Sequence, residues 1–488
     1  MRICTKASVE PLKWNDHRGP GYRGGEDFIG EIVENMDTVP TGIDAILSDR
    51  VLGKSFDCTC GRVHRILTRQ VVIEPGVADR VPEILPSLIP GERILLLADR
   101  RTWKVAGERL SEALGASYSV ECCMLADDPT GTIHASMELA DELIAASPGV
   151  FDMVASVGSG TINDLGKEIA HRRGIPCFVL ATAASMNGYT SAIVALLENG
   201  LKTTRAVTPP VVVFADPKVL IEAPRDLTLA GLGDLVSKPY CGCDWKIASY
   251  VRSEYYCPLP DRLLSAPFEE ALEVFPRLAD DDPEAVTLLF RLLLVSGLSM
   301  AVVGTSSPAS GGEHLLSHFW DMVRLRDGRP LNLHGAQVGV ASLVIDDLYR
   351  QIAGLDFGRV RFMPNPSPDV ALRGVMEVFG ALAPAVWPQW QAKLEARTAE
   401  DLARLVENEA AIKEEIERTL ATGRKIRHAL TASGAPIQAA QLGIGSDELE
   451  AAIRHGRKIR NRYTVLDVAA ELEVLDAFAG VVRGGRRG

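Results

Sequence analysis

Short apolar runs alternate with amphipathic stretches from Val71 to about Val213. The runs "VVIE" at 71, "RILLLA" at 93, "SVECCML" at 119, "MVASV" at 153, "CFVLA" at 177 and "VVVF" at 211 read as β-strands. Between the second and third, "TWKVAGERLSEALG" sets Val105, Leu110 and Leu114 at helical spacing before a glycine stop. Strands alternating with helices predict a parallel sheet with crossover helices, hence a Rossmann-like dinucleotide-binding domain over residues 66–222. From about Asp226 the strand pattern fades. Alanine- and leucine-rich stretches such as 385–430 and 446–480 then repeat with a period near 3.6, predicting an all-helical domain over 223–488. Proline-containing segments near 208–217 and 222–226 are the expected connection. Residues 1–65 show many turn formers and no clear period, which predicts an irregular N-terminal extension. The expected fold class is therefore α/β, a parallel-sheet domain followed by a helical one.

Composition narrows this picture. A chain of 488 residues that is 47% hydrophobic and 24% charged has apolar material for two substantial cores, which argues against disorder. A net charge of −12 argues against nucleic acid or anionic lipid as partners, since both call for clustered positive charge, and the tail "RGGRRG" is too short to reverse it. Nine cysteines, an odd number at irregular spacing in a chain that opens without a signal peptide, predict reduced thiols and a cytoplasmic location. The uncharged stretch from Leu292 to Gly312 is apolar only to about Val303. It reads as a buried core helix, because a membrane span needs about 20 apolar residues.

Candidate chemistry lies at a few points. "VASVGSGTINDLGKEIAHRRGIP" runs from a strand through Gly158, Ser159 and Gly160 into a helix with Ile162, Leu165 and Ile169 on its apolar face. Glycines let a phosphate approach the backbone and a helix N-terminus offers it free N–H groups. The third glycine of the dinucleotide fingerprint is missing, so an ordinary strand-to-helix turn is the competing reading. Asp99 ends the strand "ILLLAD", where an acid can hold both ribose hydroxyls or simply stand solvated, while the adjacent Arg100 and Arg101 suit a 2′-phosphate, which leaves NAD and NADP both open. The polar loop "ATAASMNGYTS" follows the strand "CFVLA". Ligands of open α/β sheets sit beyond the carboxyl ends of strands, which puts Thr182, Ser185, Asn187 and Ser191 in position to meet one.

A metal needs ligands from separate points of the chain. His314, Asp234 in "LAGLGDLVSK" and His334 in "LNLHGAQVG" are candidates: two neutral imidazoles and one carboxylate would leave a divalent ion at about +1 with a position open for substrate. In "GGEHLLSHFW" His314 and His318 stand four apart, but Glu313 precedes the pair, whereas the metalloprotease motif carries its glutamate inside. "CTCGRVH" offers Cys58, Cys60 and His64. A structural zinc site takes four ligands and usually spaces its cysteines by two residues, so this segment reads as a turn with buried thiols.

Taken in order, "GSGTINDL", "ATAASMNGYTS", "AGLGDLVSK", "SGGEHLLSHFW" and "LHGAQVG" resemble the sn-glycerol-1-phosphate dehydrogenase family, particularly its bacterial branch, within the superfamily of dehydroquinate synthases and metal-dependent alcohol dehydrogenases. "RNRYTVLDVA" is similar to that branch as well. The resemblance implies a dehydroquinate synthase-like fold, a homodimer or larger homo-oligomer, and an active site between the two domains. It implies Asp234, His314 and His334 as ligands of one divalent ion, zinc or in some bacterial members nickel, with Asp234 thereby facing the substrate. His318 would contact the substrate and not the ion. Asp99, the turn Gly158, Ser159, Gly160, Thr161 and Ile162, the loop Thr182, Ala183, Ala184 and Ser185, and Ser191 would bind the dinucleotide. The implied reaction is the reversible reduction of dihydroxyacetone phosphate to sn-glycerol 1-phosphate by NADH or NADPH, with His318 helping to deliver the proton and Lys202 or Lys238 receiving the phosphate. Asn187 departs from the family, which usually has aspartate there in a serine-x-aspartate-glycine motif acting on the substrate. Asparagine keeps the size and an acceptor but loses the charge, so a substrate hydroxyl is expected to be held differently. Two other readings stand beside this one. One is a carbon–oxygen lyase resembling dehydroquinate or cyclitol synthases, which usually carry glutamate where Asp234 stands; the other is a dinucleotide-binding relative altered at Asn187. A small phosphorylated substrate is the expected partner, with neither nucleic acid nor membrane insertion.

Overall fold

The computed structural model describes residues 32–33, 41–127, 133–198, 201–359 and 364–484. Most of the expected N-terminal extension, including Cys4, and the end of the basic tail lie outside the described residues. Strands β1 (Ile32–Val33), β2 (Ser55–Asp57) and β3 (Val63–Arg65) form a small sheet, β1 parallel and β3 antiparallel to β2. The six apolar runs become β4 (Gln70–Ile73), β5 (Arg93–Asp99), β6 (Ser119–Leu125), β7 (Met153–Gly158), β8 (Cys177–Ala181) and, after the hairpin β9 (Ile193–Glu198) and β10 (Leu201–Ala206), β11 (Val212–Ala215). They make one parallel sheet in the order β4-β11-β8-β7-β5-β6.

Burial on both faces explains why the inner strands β5, β7, β8 and β11 read as continuous apolar runs, while of the edge strands β4 is half-buried and β6 largely exposed. In β5, Ile94, Leu96 and Ala98 pack with the helices Val77–Ile84 and Glu108–Gly115, while Leu95 and Leu97 pack with Met137–Ala146 and Gly160–Arg173. In β8, Val179 and Ala181 turn instead to the helical half, and with Val213 and Ala215 of β11 join its core. The expected apolar face around Val105 needs correction. Leu110 and Leu114 are fully buried, but Val105 is 56% exposed, because Trp103–Gly107 is wound as a wider π-turn that rotates Val105 out of phase.

Helices take over from Pro217 onward. Leu289, Leu292, Leu293 and Val295 of Pro283–Val303 are buried in the core of the helical half, where the sequence pattern placed a core helix. The stretch 385–480 resolves into helices that include Ala383–Ala396, Glu409–Ser433, Ser446–His455 and Val465–Glu471.

Candidate active site

The chain moves outward from β5 to β6, then returns to β7 and continues the other way through β8. This reversal opens a crevice at the carboxyl ends of β5 and β7, the ligand position of open α/β sheets. Leu97 is in register with Ser156, so Asp99 and Gly158 end the two strands side by side. Asp99 accepts from the Thr102 amide through Oδ1 at 2.7 Å and so caps the following turn. After β7, Ser159 precedes the 14-residue helix Gly160–Arg173, and Ser159, Gly160 and Thr161 line a cleft of about 620 Å³.

That cleft runs from the sheet to the helical half. Ser185, Asn187 and Ser191 face it from the loop after β8, Lys202 from the β9–β10 hairpin, and Asp234, His314, His318 and His334 from the helices. Asp99, Gly158, Ile162, Thr182, Ala183 and Ala184 do not line it. Ile162 packs onto Gly158, where an added Cβ would come 2.6 Å from its Cδ1. Ala183 and Ala184 are buried under the loop, with the Tyr189 hydroxyl donating to the Ala183 carbonyl at 2.8 Å. Lys167, which sequence reasoning did not single out, donates from its buried Nζ to the carbonyls of Gly188 and Ile193 at 2.8 Å and so pins the same loop.

Asp234, on the buried helix Arg225–Leu235, has Oδ1 3.8 Å from His314 Nε2. Two ligand atoms each about 2.1 Å from a shared cation lie roughly 3–4 Å apart, so this spacing suits one. The ring centroids of His314 and His334 are 5.2 Å apart. Neighbouring groups fix both tautomers. His314 Nδ1 meets Glu313 Oε1 at 2.7 Å, and that oxygen also takes hydrogen bonds from the Gly311 amide and the Cys241 thiol. Burial alone would raise the Glu313 carboxyl, but the hydrogen bonds from His314, Cys241 and Gly311 hold it at about 2, so it accepts from Nδ1–H. The Ser317 hydroxyl donates to Gln337 Oε1 at 2.8 Å, and its oxygen therefore accepts from His334 Nδ1 at 3.2 Å. Each imidazole keeps a bare Nε2, the condition for ligation, with the outer partner that metal-binding histidines characteristically have. Burial, and then the nearby charges of Lys202 and Lys238, hold His334 well below the usual histidine range, so it stays neutral.

His318 lies one turn beyond His314, and its buried Nδ1 has no hydrogen-bond partner among the described residues. Burial, then Lys202, Arg460, His314 and Arg462, keep it neutral as well. Arg460 and Arg462, which sequence reasoning passed over, line the cleft. Arg460 donates to the Lys202 carbonyl at 2.6 Å, and Arg462 to the Ser306 hydroxyl at 2.8 Å and the Ser310 carbonyl. The Lys202 ammonium is 3.7 Å from Asp321. Lys238, the other expected phosphate contact, does not line the cleft but is buried against Asp234 Oδ1 at 2.9 Å. The Asn187 amide N–H donates to Asp234 Oδ2 at 3.1 Å, and its side-chain nitrogen donates to the Ser296 hydroxyl at 3.2 Å.

Residues 72–224 match the iron-containing alcohol dehydrogenase family. A glycerol-1-phosphate dehydrogenase [NAD(P)+] of Halalkalibacterium halodurans is 32% identical over 301 residues, 61% of this chain and 75% of the relative. One of Bacillus licheniformis is 27% identical over 427 residues, 87% of this chain and 94% of the relative. Among solved structures, glycerol dehydrogenase from Schizosaccharomyces pombe shares the fold, with a TM-score of 0.51 at 17% identity over 86% of this chain and 92% of that one.

Proposed function

The chain belongs to the glycerol-1-phosphate dehydrogenase family, and from that premise we propose that its cleft catalyses the reversible, metal-dependent reduction of dihydroxyacetone phosphate to sn-glycerol 1-phosphate by NAD(P)H. One observation carries the reading: Asp234, His314 and His334, with both imidazoles tautomerically fixed, line the same cleft as Lys202, Arg460 and Arg462. Those three residues would hold the ion, which supplies a Lewis acid for the ketone oxygen when bound. The donor set suits zinc, with nickel as the alternative. The same reading takes the cytoplasm as the compartment and a homodimer or larger assembly as the working form.

The protein's own groups do the rest. Ser159, Gly160 and Thr161 at the helix N-terminus take the dinucleotide phosphates, with Ser185, Ser191 and, at the neighbouring strand end, Asp99 completing the cofactor side. Lys202, Arg460 and Arg462 take the substrate phosphate, a role for which Arg is suited by its fork of donors. With its nitrogen engaged by Ser296, the Asn187 carboxamide presents its oxygen as an acceptor for a substrate hydroxyl. Neutral His318 hydrogen-bonds the reacting oxygen and relays a proton between it and solvent. Asp234 in place of glutamate favours this reading over the lyase.

The direct test supplies metal-loaded protein with dihydroxyacetone phosphate and follows nicotinamide absorbance. Consumption of NADH or NADPH that depends on both ketone and metal is expected, and an unchanged signal with either cofactor refutes the substrate assignment. Arg460→Ala is expected to raise KM for dihydroxyacetone phosphate by about tenfold or more with kcat little changed, since a charge-assisted hydrogen bond remote from the reacting carbon is worth roughly 1.5–3 kcal/mol. Steady-state kinetics check this, and an unaltered KM removes Arg460 from the phosphate site.

A further inference from the structure

We propose that Cys58, Cys60, His64 and Cys257 form a second, structural zinc site, apart from the cleft, that fastens the N-terminal strands to the helical half of the protein. The sequence motif "CTCGRVH" supplies only three of these ligands, and the fold supplies the fourth. Between β2 and β3 the chain makes a tight turn in which the Cys58 amide donates to the Arg62 carbonyl at 3.1 Å and the Gly61 amide to the Cys58 carbonyl at 2.9 Å. Gly61 has a φ of 82°, a left-handed conformation that favours glycine. Cys257 arrives from the connection between the helices Lys238–Arg252 and Leu259–Ala271.

The three sulfurs and one imidazole nitrogen all lie within 4.8 Å of one another. Cys60 Sγ is 3.2 Å and Cys257 Sγ 3.3 Å from His64 Nε2, and Cys58 Sγ is 3.6 Å from Cys257 Sγ. Tetrahedral zinc, with bonds of about 2.3 Å to sulfur and 2.0 Å to nitrogen, sets its ligand atoms roughly 3.5–3.8 Å apart. The four atoms therefore already outline the polyhedron to within a few tenths of an ångström on these edges. The outer contacts fit too. His64 Nδ1 meets the Val302 carbonyl at 2.8 Å, which fixes the proton there and turns a bare Nε2 to the sulfurs. The Cys60 amide approaches Cys58 Sγ at 3.5 Å, and the Tyr255 hydroxyl lies 3.2 Å from Cys60 Sγ, donors well placed for thiolates. The Arg62 guanidinium, 3.5 Å above the Tyr255 ring, sets a cation beside a centre that three thiolates would leave at about −1.

Soft ligands select zinc over the harder divalent ions. Binding releases three thiol protons to solvent and involves no redox step. The site would tie β2 and β3 to the end of Pro283–Val303, the helix whose Ser296 holds Asn187.

Cobalt substitution tests this, because thiolate ligands give a near-ultraviolet charge-transfer band that the nitrogen and oxygen donors of the cleft do not. Reduced wild-type protein is expected to show the band and to carry a zinc that a mercurial thiol reagent releases. Cys257→Ser is expected to lose both. His334→Ala is expected to retain both, which separates this site from the cleft ion. The proposal is overturned if reduced wild-type protein shows neither the band nor thiol-linked zinc, if Cys257→Ser keeps the band, or if peptide mapping finds Cys58 and Cys257 joined as a disulfide in the protein as isolated. Should Cys257→Ser not fold, X-ray absorption at the zinc edge of wild-type protein decides the matter: sulfur scattering at about 2.3 Å supports the site, and light-atom ligands alone overturn it.

Discussion

Replacing His334 by alanine is expected to lower turnover about a thousandfold or more and to abolish metal binding in the cleft, with the protein still folded. Stabilising charge on a former carbonyl oxygen by a metal is worth several kcal/mol, and each 1.36 kcal/mol is tenfold in rate. Removing one of the three proposed ligands takes most of that away. His334 begins the helix His334–Ala353 and contributes its ring to the cleft, so its loss spares the helix–helix packing behind it. Elemental analysis of the purified variant, together with nicotinamide kinetics at saturating dihydroxyacetone phosphate, checks both halves. His318→Ala is the comparison, because a substrate contact should cost turnover while the cleft ion stays. If His334→Ala retains that ion at wild-type occupancy, His334 is not a ligand.

The residues that proved legible in the sequence are those whose chemistry is local. The four inner strands β5, β7, β8 and β11, buried on both faces, stand out as apolar runs, and a GSG turn or a His-x-x-x-His spacing is visible without the fold. The hairpin β9–β10 was not, because Lys202, Thr203, Thr204 and Arg205 give β10 a polar surface pattern while β9 is only partly buried. Val105 misled for a related reason: periodicity assumes a regular helix, and the π-turn broke the phase. Long-range groupings left no local trace. Cys257 meets His64 across 193 residues and Arg460 meets Lys202 across 258. Glu313, noted only as the acid before the histidine pair, and Ser317 had their roles hidden in another way. Each is an unremarkable helix residue until a histidine ring is found resting on it.

Gly335→Ala is expected to destabilise the protein by roughly 3 kcal/mol or more and to cut activity about a hundredfold, although a methyl group is all that is added. The helix carrying Asp234 and the helix begun by His334 touch backbone to backbone. A Cβ on Gly335 would lie 1.9 Å from the Ala230 carbonyl oxygen, one on Gly233 would lie 2.1 Å from the Gly335 carbonyl oxygen, and one on Gly339 would lie 2.9 Å from Gly233 Cα. None of these neighbours is a flexible side-chain end, so the helices themselves must part. Overpacking a close contact typically costs about 1–3 kcal/mol, and here the obstruction is main chain, which puts the effect at the upper end. The functional loss follows from geometry: the two helices bear proposed ligands of the same ion, and a shift of about 1 Å at a catalytic centre can cost a hundredfold. Gly374→Ala is the control, since that glycine lies in the helix Pro368–Phe379 with nothing within 4 Å of the added Cβ. There alanine gains up to about 1 kcal/mol from helix propensity and should leave metal content and turnover alone. Denaturant midpoints, metal content and kcat/KM measured side by side separate the two cases. If Gly335→Ala behaves like Gly374→Ala, close approach of these helices is not what brings Asp234 and His334 to one ion.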